Sequence, residues 1–361
     1  MENFGQFLTV QDASKKLGVS ASTLRNWDKS GKLKSQRNPY NDYRIYRQED
    51  IEAILQTLHT GKPTQAITQS SKKDISEFTN KVIQGDCLDI MATMPDKSVD
   101  MVLCDLPYGT TQNKWDSVID LEKLWAEYTR IIKDNGAIVL TSQGVFTARL
   151  ILSNEEWFKY KIVWIKSKST NFLNAKKQPL RKHEDICIFY KKQPTYNPQM
   201  TQGESYDKGV RKDQFTGSYG DFKPHHVKSD GQRYPNDVVF YEEDEADDCV
   251  YFKTAESEGT VYHPTQKPVE LGRYLIRTFT NEGDIVLDNA CGSGSFLISA
   301  LLENRKFIGI EKNEQVMLHK VKPTDYIKVC NDRIQETLSK MQGEQKEKNA
   351  LHLISQSAIV F

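Results

Sequence analysis

Val99-Asp-Met-Val-Leu-Cys-Asp105-Leu-Pro-Tyr108 and, far downstream, Gly283-Asp-Ile-Val-Leu-Asp288-Asn-Ala-Cys-Gly-Ser-Gly-Ser-Phe296 decide the fold. Each couples an apolar, strand-like run to a polar loop at its exit, where open α/β sheets place their ligands. The first loop offers an acidic side chain, a backbone-restricting proline and an aromatic face. The second offers glycines that let a backbone approach a small ligand, just before the helical Phe296-Leu-Ile-Ser-Ala-Leu-Leu302. Together they imply one site for a planar substrate and one for a nucleotide-like cofactor.

The pattern around these runs is an alternation of strands and helices. Lys81–Asp86, Val99–Cys104, Gly136–Thr141, Lys161–Ile165, Asp185–Tyr190, Ile285–Asp288 and Lys306–Ile310 read as strands or strand ends. Helical periodicity near 88–94, 121–133, 269–281, 295–303 and 325–341 separates most of them. This predicts an α/β fold with a mainly parallel, Rossmann-like sheet covered by helices.

Composition bounds the function. The chain has 361 residues, 38% hydrophobic and 27% charged, enough for two or three domains and a substantial core. No apolar stretch approaches the ~20 residues needed to cross a membrane. The N-terminus lacks a basic, apolar leader, which argues against secretion and for the cytoplasm. The six cysteines are scattered and form no CxxC pair, so neither structural zinc nor a disulfide framework is expected. With zero net charge, any nucleic-acid binding must come from local patches.

Residues 1–60 read as a small helical domain. Thr9-Val-Gln-Asp-Ala-Ser-Lys-Lys-Leu-Gly-Val19 places Val10, Ala13, Leu17 and Val19 around one helix and its exit. Ser20 caps a second helix carrying Leu24 and Trp27 on one face and Arg25 and Lys29 on another. Asn38–Tyr46 reads as a turn and short ribbon, and Arg47–Ile54 as a closing helix. The arrangement resembles the winged helix-turn-helix head of MerR-type regulators. That resemblance implies Thr23, Arg25, Arg44 and Tyr46 as DNA contacts; a partner-binding domain with a solvated basic face is the alternative. Residues 61–79, polar and proline-marked, read as a linker.

In the larger part, Asp105-Leu-Pro-Tyr108 has the residues to act on an aromatic exocyclic amine. Such a nitrogen delocalises its lone pair into the ring. Two acceptors aimed at the NH₂ hydrogens, the Asp105 carboxylate and the Leu106 carbonyl, draw it toward tetrahedral geometry. Pro107 restricts Leu106 to extended backbone, and Tyr108 offers a face for an extruded base. An ordinary strand-ending turn reads the same way in isolation. The glycine loop with Glu311 also fits a dinucleotide site, except that Phe296 and Leu297 stand where a third glycine belongs. His263-Pro-Thr-Gln-Lys-Pro-Val-Glu-Leu271 adds a Thr and a Lys able to hold an amino-acid carboxylate, and Asp86 an acceptor for an adenine amine. His183-Glu184 reads as structural, at a strand edge, because a neutral amine needs no general base.

These four blocks resemble the β-class of DNA amino-methyltransferases, over about residues 80–335. The resemblance implies S-adenosylmethionine as cofactor and transfer to adenine N6 or cytosine N4, with the catalytic tetrapeptide ahead of the cofactor loop in the chain. Carried across by position, Asp105, Leu106, Pro107 and Tyr108 form the catalytic pocket. Asp86, Cys87, His263, Thr265, Lys267, Asp288, Cys291, Gly292, Ser293, Gly294 and Glu311 line the cofactor site, and no metal is implied. The tetrapeptide departs from the usual Asp-Pro-Pro-Tyr at Leu106, where a backbone carbonyl does the work. An Asp in first position is usual for adenine enzymes, Ser for cytosine ones, so adenine is expected. Cytosine N4, RNA, and an inactive cofactor-sensing regulator stay open. Double-stranded DNA is the implied partner; a homodimer and a restriction endonuclease are further candidates.

The methyltransferase domain is expected over 80–340, with a C-terminal tail over 341–361. Residues 166–262 have the composition of an irregular target-recognition region. Lys166, Lys168, Lys176, Lys177, Arg181, Lys182, Arg211 and Lys212 supply cations there, and Tyr206, Tyr219, Phe222 and Tyr234 aromatics. The acidic run 242–248 interrupts it without a functional reading.

Overall fold

The computed structural model describes residues 7–29, 33–38, 43–60, 72–109, 118–211, 215–216, 220–221, 225–239, 254–255, 258, 260–263, 265–313 and 324–357. The acidic run 242–248, with Tyr219, Phe222 and Lys212, lies outside these residues. The chain divides into two compact units, Met1–Ser71 and Lys72–Phe361.

The first unit contains β1 (Phe7–Thr9), α1 (Val10–Leu17), α2 (Ala21–Lys29), β2 (Gln36–Arg37), β3 (Arg44–Arg47) and α3 (Gln48–Thr60). Thr9 caps α1 by accepting from the Asp12 amide at 3.2 Å, and Gly18 ends it in the left-handed conformation at φ 69°. Ala13, Leu17, Leu24, Leu33, Tyr46, Ile51 and Ile54 form its core. The ribbon expected at 38–46 is the β2–β3 pair, extended by β1 into a three-stranded sheet of order β1-β3-β2.

The second unit contains β4 (Lys81–Gln84), α4 (Cys87–Thr93), β5 (Val99–Cys104), α5 (Leu121–Ile131), β6 (Ile132–Ser142), α6 (Val145–Leu152), β7 (Phe158–Thr170) and β8 (Arg181–Phe189). There follow β9 (Thr201–Gln202), β10 (Tyr206–Arg211), β11 (Phe215–Thr216), β12 (Gly220–Asp221), β13 (His225–Ser229), β14 (Gln232–Arg233) and β15 (Val238–Val239). It closes with α7 (Val269–Phe279), β16 (Ile285–Asp288), α8 (Ser295–Leu302), β17 (Lys306–Glu311) and α9 (Tyr326–Ser357).

Eight strands make one sheet in the order β15-β7-β8-β6-β5-β16-β17-β4. β8 pairs antiparallel with both neighbours, while the other pairings are parallel. Buried on both faces, β5 is almost wholly apolar, as strands of covered parallel sheets are. Val102 and Cys104 point into a core with α4, α5 and α6; Met101 and Leu103 into a second with α7, α8 and α9. The register shift between Val99 and Met101 puts Val99 with the even-numbered set.

Three boundaries differ from the sequence reading. Residues 72–79 are not linker: a 3-10 turn at Ile75–Glu77 delivers Phe78, 4% exposed, into the catalytic core. The region from 166 is not irregular at its start, because 166–170 and 181–189 are sheet strands; the small hairpins begin at β9. The helix expected at 325–341 runs on to Ser357, through most of the proposed tail. The helix α6 went unread, because Val145–Leu152 is apolar nearly all round.

Candidate active site

β5 and β16 are adjacent and parallel, with Val286 opposite Met101 and Leu287 opposite Val102. The chain leaves β5 for β6 on one side, while β16 lies on the other, so the crevice opens at the exits of these two strands. The loops that follow Cys104 and Leu287 both end there. They line one cleft of about 720 Å³ that also takes in Asp86, Cys87, His263, Thr265, Lys267 and Glu311.

Asp105 accepts hydrogen bonds from three side chains in the cleft. Its Oδ1 accepts from the Tyr108 hydroxyl at 2.9 Å and from the Thr141 hydroxyl at the exit of β6. Its Oδ2 accepts from Lys267 Nζ at 2.6 Å. Lys267 also pairs with Glu184 Oε2 at 3.3 Å, and Lys166 Nζ meets Glu184 Oε1 at 3.0 Å. Lys166, Glu184, Lys267 and Asp105 thus form an alternating chain of charges, with both lysines buried. Burial opposes the Lys267 charge, but Asp105 and Glu184 outweigh it and push the pKa up. Burial likewise disfavours the Glu184 carboxylate, yet Lys267 and Lys166 hold its pKa below the ordinary value.

The Tyr108 ring stacks on Phe146 of α6 with centroids 5.1 Å apart and planes 26° from parallel. Burial, then the Asp105 and Glu184 charges, raise its hydroxyl pKa, so it stays a donor. The Leu106 side chain is 3% exposed and belongs to the core, leaving its backbone as its polar contribution.

The glycine loop is built by backbone geometry. Gly292 and Gly294 take φ 49° and 81°, where side chains are strained. The Gly292 amide donates to Glu311 Oε2 at 2.8 Å and the Asn313 amide to Oε1 at 2.9 Å, so Glu311 is oriented from both sides. The Ser293 hydroxyl donates to Gln266 Oε1 at 3.1 Å, tying the loop to the segment before α7. Cys291 is buried and its amide donates to Ile310 O at 3.0 Å. Asp288 is buried at the loop's start, and burial pushes its pKa up to about 7; the Ala290 amide and Cys104 thiol oppose this, Asp105 and Glu311 add to it. Asp86 caps α4 through the Leu88 amide at 3.0 Å, with buried Cys87 next to it. His263 accepts from the Thr265 amide at 3.2 Å and packs on Tyr326; burial lowers its pKa.

Two readings change, and a third gains partners. Lys267, expected to hold an amino-acid carboxylate, lines the cleft and is also paired with Asp105 and Glu184. Glu184, expected as structural at a strand edge, lies within β8 opposite Trp164 and belongs to the charge chain. Lys166, expected among the phosphate-facing cations, is 7% exposed and paired with Glu184. Thr141 and Phe146 were missed. Thr141 had a signal, the exit of a parallel strand beside β5; Phe146 had none.

In the N-terminal unit, Arg25 is exposed on α2. Thr23 is spent partly on its own helix, its amide donating to Ser20 Oγ at 3.1 Å. Arg44 Nε donates to Asp28 Oδ2 at 2.7 Å, fixing β3 to α2. Tyr46 is fully buried and its hydroxyl donates to Leu24 O at 3.3 Å. It is a core residue, which corrects its reading as a DNA contact.

Among the described residues no cluster of His, Cys, Asp or Glu is arranged to hold a metal, and no helix is long and apolar enough to cross a membrane. The profile of a family described as DNA methylase matches residues 99–321, and that of the MerR family regulatory proteins residues 9–46. The Type II methyltransferase M.HinfI of Haemophilus influenzae is 24% identical over 300 residues, 73% of this chain and 71% of its own. The DNA adenine methyltransferase YhdJ of Escherichia coli K12 is 30% identical over 248 residues, 65% of this chain and 79% of its own. Among solved structures, the M1.HpyAVI-SAM complex is 21% identical over 70% of this chain and 98% of its own, with a TM-score of 0.45.

Proposed function

The chain belongs to the DNA methylase family of amino-methyltransferases, and from that premise we propose that it methylates adenine N6 in duplex DNA after extruding the base. The observation that carries this reading is Asp105, fixed by three donors, in the same cleft as the glycine loop and Glu311.

The cleft fits S-adenosylmethionine. Its volume of about 720 Å³ lies toward the upper end for ligand sites, roomy enough for a nucleoside-sized cofactor beside a base. The donor set is also apt. Glu311 is held by two backbone amides, each oxygen keeping a lone pair for a ribose hydroxyl. Asp86 is half-exposed with capacity left for an adenine amine. Asn289, buried beside the loop, has its Oδ1 bonded to the Tyr128 hydroxyl at 2.6 Å. His263, Thr265, Asp288, Cys291, Gly292, Ser293 and Gly294 complete the cofactor wall. When bound, the cofactor supplies an electrophilic methyl group on a sulfonium.

The protein's own part is positioning. A carboxylate has about four lone-pair sites. Tyr108, Thr141 and Lys267 take three on Asp105, which leaves one, on Oδ2, for an amine hydrogen. The Leu106 carbonyl is the second acceptor. Together they localise the amine lone pair and stabilise positive charge as the new N–C bond forms. Tyr108, backed by Phe146, provides the aromatic surface for the extruded base. The amine is neutral at the outset, and its extra proton leaves after transfer.

Adenine is favoured over cytosine by Asp105 itself, by its resemblance to the adenine-type tetrapeptide. The MerR-like head and double-stranded DNA fit one reading, in which the head adds DNA contacts. The test is Asp105→Ala: methyl transfer to DNA is lost while cofactor binding persists, and full transfer by the variant would overturn the assignment.

A further inference from the structure

The hairpin between β7 and β8 ends in a turn that exposes two large apolar residues side by side. Phe172 is 75% and Leu173 84% exposed, and Leu180 across the turn is 44% exposed. Single exposed apolar residues are common on soluble proteins. A consecutive pair on a projecting turn is costly to hydrate and calls for an occupant.

The turn is held in shape. Asn171 enters it in the left-handed conformation at φ 70°, and Phe172–Asn174 form a 3-10 turn. The Asn174 amide donates to Asn171 O at 3.0 Å, Ala175 to Phe172 O at 3.1 Å, and Lys177 to Asn174 O at 2.8 Å. The Asn174 side chain bonds Asn171 Oδ1 at 2.7 Å. The two apolar side chains are therefore presented by an ordered backbone.

Charge and position identify the occupant. Residues 166–182 contain six lysines or arginines and no acidic residue, and Lys168, Lys176, Lys177, Arg181 and Lys182 are all exposed. Lys168, Thr170, Asn171 and Arg181 line the same cleft as Asp105. The charge chain leading from Asp105 ends at Lys166, whose Nζ lies 3.5 Å from Thr170 Oγ1, two residues before Phe172. An apolar tip flanked along the chain by exposed cations, next to residues that line the Asp105 cleft, matches a polyanion with an apolar interior. Duplex DNA is that polyanion, and proteins that open its stack do so with Phe, Leu, Ile, Met or Pro wedges.

We infer that Phe172 and Leu173 form a wedge that enters the DNA stack beside the target base and holds open the gap left by its extrusion. Flanking lysines and arginines take the phosphates. The inference rests on the proposed base-extruding reaction and deepens it, by assigning the opening of the duplex to residues outside the catalytic pocket.

The test compares the wild-type chain with a Phe172→Ser/Leu173→Ser variant, whose exposed positions leave the fold intact, as Tm would verify. The probe is a duplex carrying the site that the wild type methylates, in one form fully paired and in another with the target base opposite an abasic position. The variant is expected to lose about tenfold or more in kcat/KM on the paired duplex and to recover to within about threefold on the abasic one, where the pairing cost of extrusion is already removed. With 2-aminopurine at the target position, the fluorescence rise given by the wild type should be diminished. Unchanged kinetics on the paired duplex, or an equal loss on both duplexes, would overturn the wedge. So would a change in oligomeric state with unchanged DNA kinetics, which would make the tip a protein-docking surface. A wild type that modifies no DNA would remove the underlying reading instead, a separate and recognisable failure.

Discussion

Lys267 Nζ lies 2.6 Å from Asp105 Oδ2 and 3.3 Å from Glu184 Oε2, so one buried ammonium joins the tetrapeptide after β5 to a strand more than 70 residues later. Asp105 is thereby fixed from a segment that also begins α7 and borders the cofactor wall. The orientation of the Asp105 carboxylate thus depends on side chains from outside its own loop, Lys267 and Thr141, as well as on Tyr108.

Removing that ammonium should be expensive. Lys267→Met leaves Asp105 without a cation and Glu184 with Lys166 alone, and breaking a buried pair this way costs about 3–5 kcal/mol. Urea unfolding should show it, with methyl transfer falling as well. Adding Glu184→Gln should return part of the stability without restoring activity, because Asp105 stays unanchored. Additive losses in the double variant would contradict the coupling.

The Asp288 carboxyl gives a stability signature in pH. Its pKa is pushed up to about 7 from an ordinary 3.8, so the native state holds a proton that the unfolded chain gives up. That contribution is complete below about pH 4 and is lost as pH rises toward 7, with a span of the order of 4 kcal/mol. Asp288→Asn mimics the protonated form at every pH. Denaturant titrations should therefore show wild type losing ground to the variant between pH 4 and 7, then running parallel; a constant difference throughout would contradict the assignment.

Gly294 tests the loop geometry. A Cβ there meets Cys330 Sγ at 2.9 Å, and the backbone sits at φ 81°. Gly294→Ala should cost about 1–3 kcal/mol and weaken cofactor binding, measurable by calorimetry. Unchanged stability and affinity would mean that the loop does not need this conformation.

In the N-terminal unit, Arg25 and Tyr46 should part company. Tyr46→Phe removes one buried hydrogen bond and should cost about 1 kcal/mol of stability, with DNA affinity per folded molecule unchanged. Arg25→Ala should leave stability alone, weaken DNA binding and lower the salt slope by about 1. A salt slope untouched by Arg25→Ala would remove the head from the DNA contacts.

The features legible in the sequence were those whose physics is local. Asp105 to Tyr108 and Gly292 to Gly294 announce themselves because strand, turn and ligand loop are contiguous, and β5 and β16 emerge at the residues expected. Glu184, Thr141 and Phe146 reach the site from three further elements, and only the tertiary fold brings them to Lys267, Asp105 and Tyr108 respectively. Tyr46 shows the complementary limit. In a short ribbon an aromatic serves the core or the surface equally well by spacing, and the choice was made by α2 and α3 packing over it. Lys267 shows a related limit: a lysine near a cofactor loop reads as a ligand, and only the sheet order shows that β8 also supplies it with a carboxylate.

The most direct test of the central claim is the identity of the product. Duplex DNA incubated with the protein and S-adenosylmethionine, digested to nucleosides and analysed by mass spectrometry, should contain N6-methyladenine and no N4-methylcytosine. Finding N4-methylcytosine as the product, or no modified base, would contradict the account.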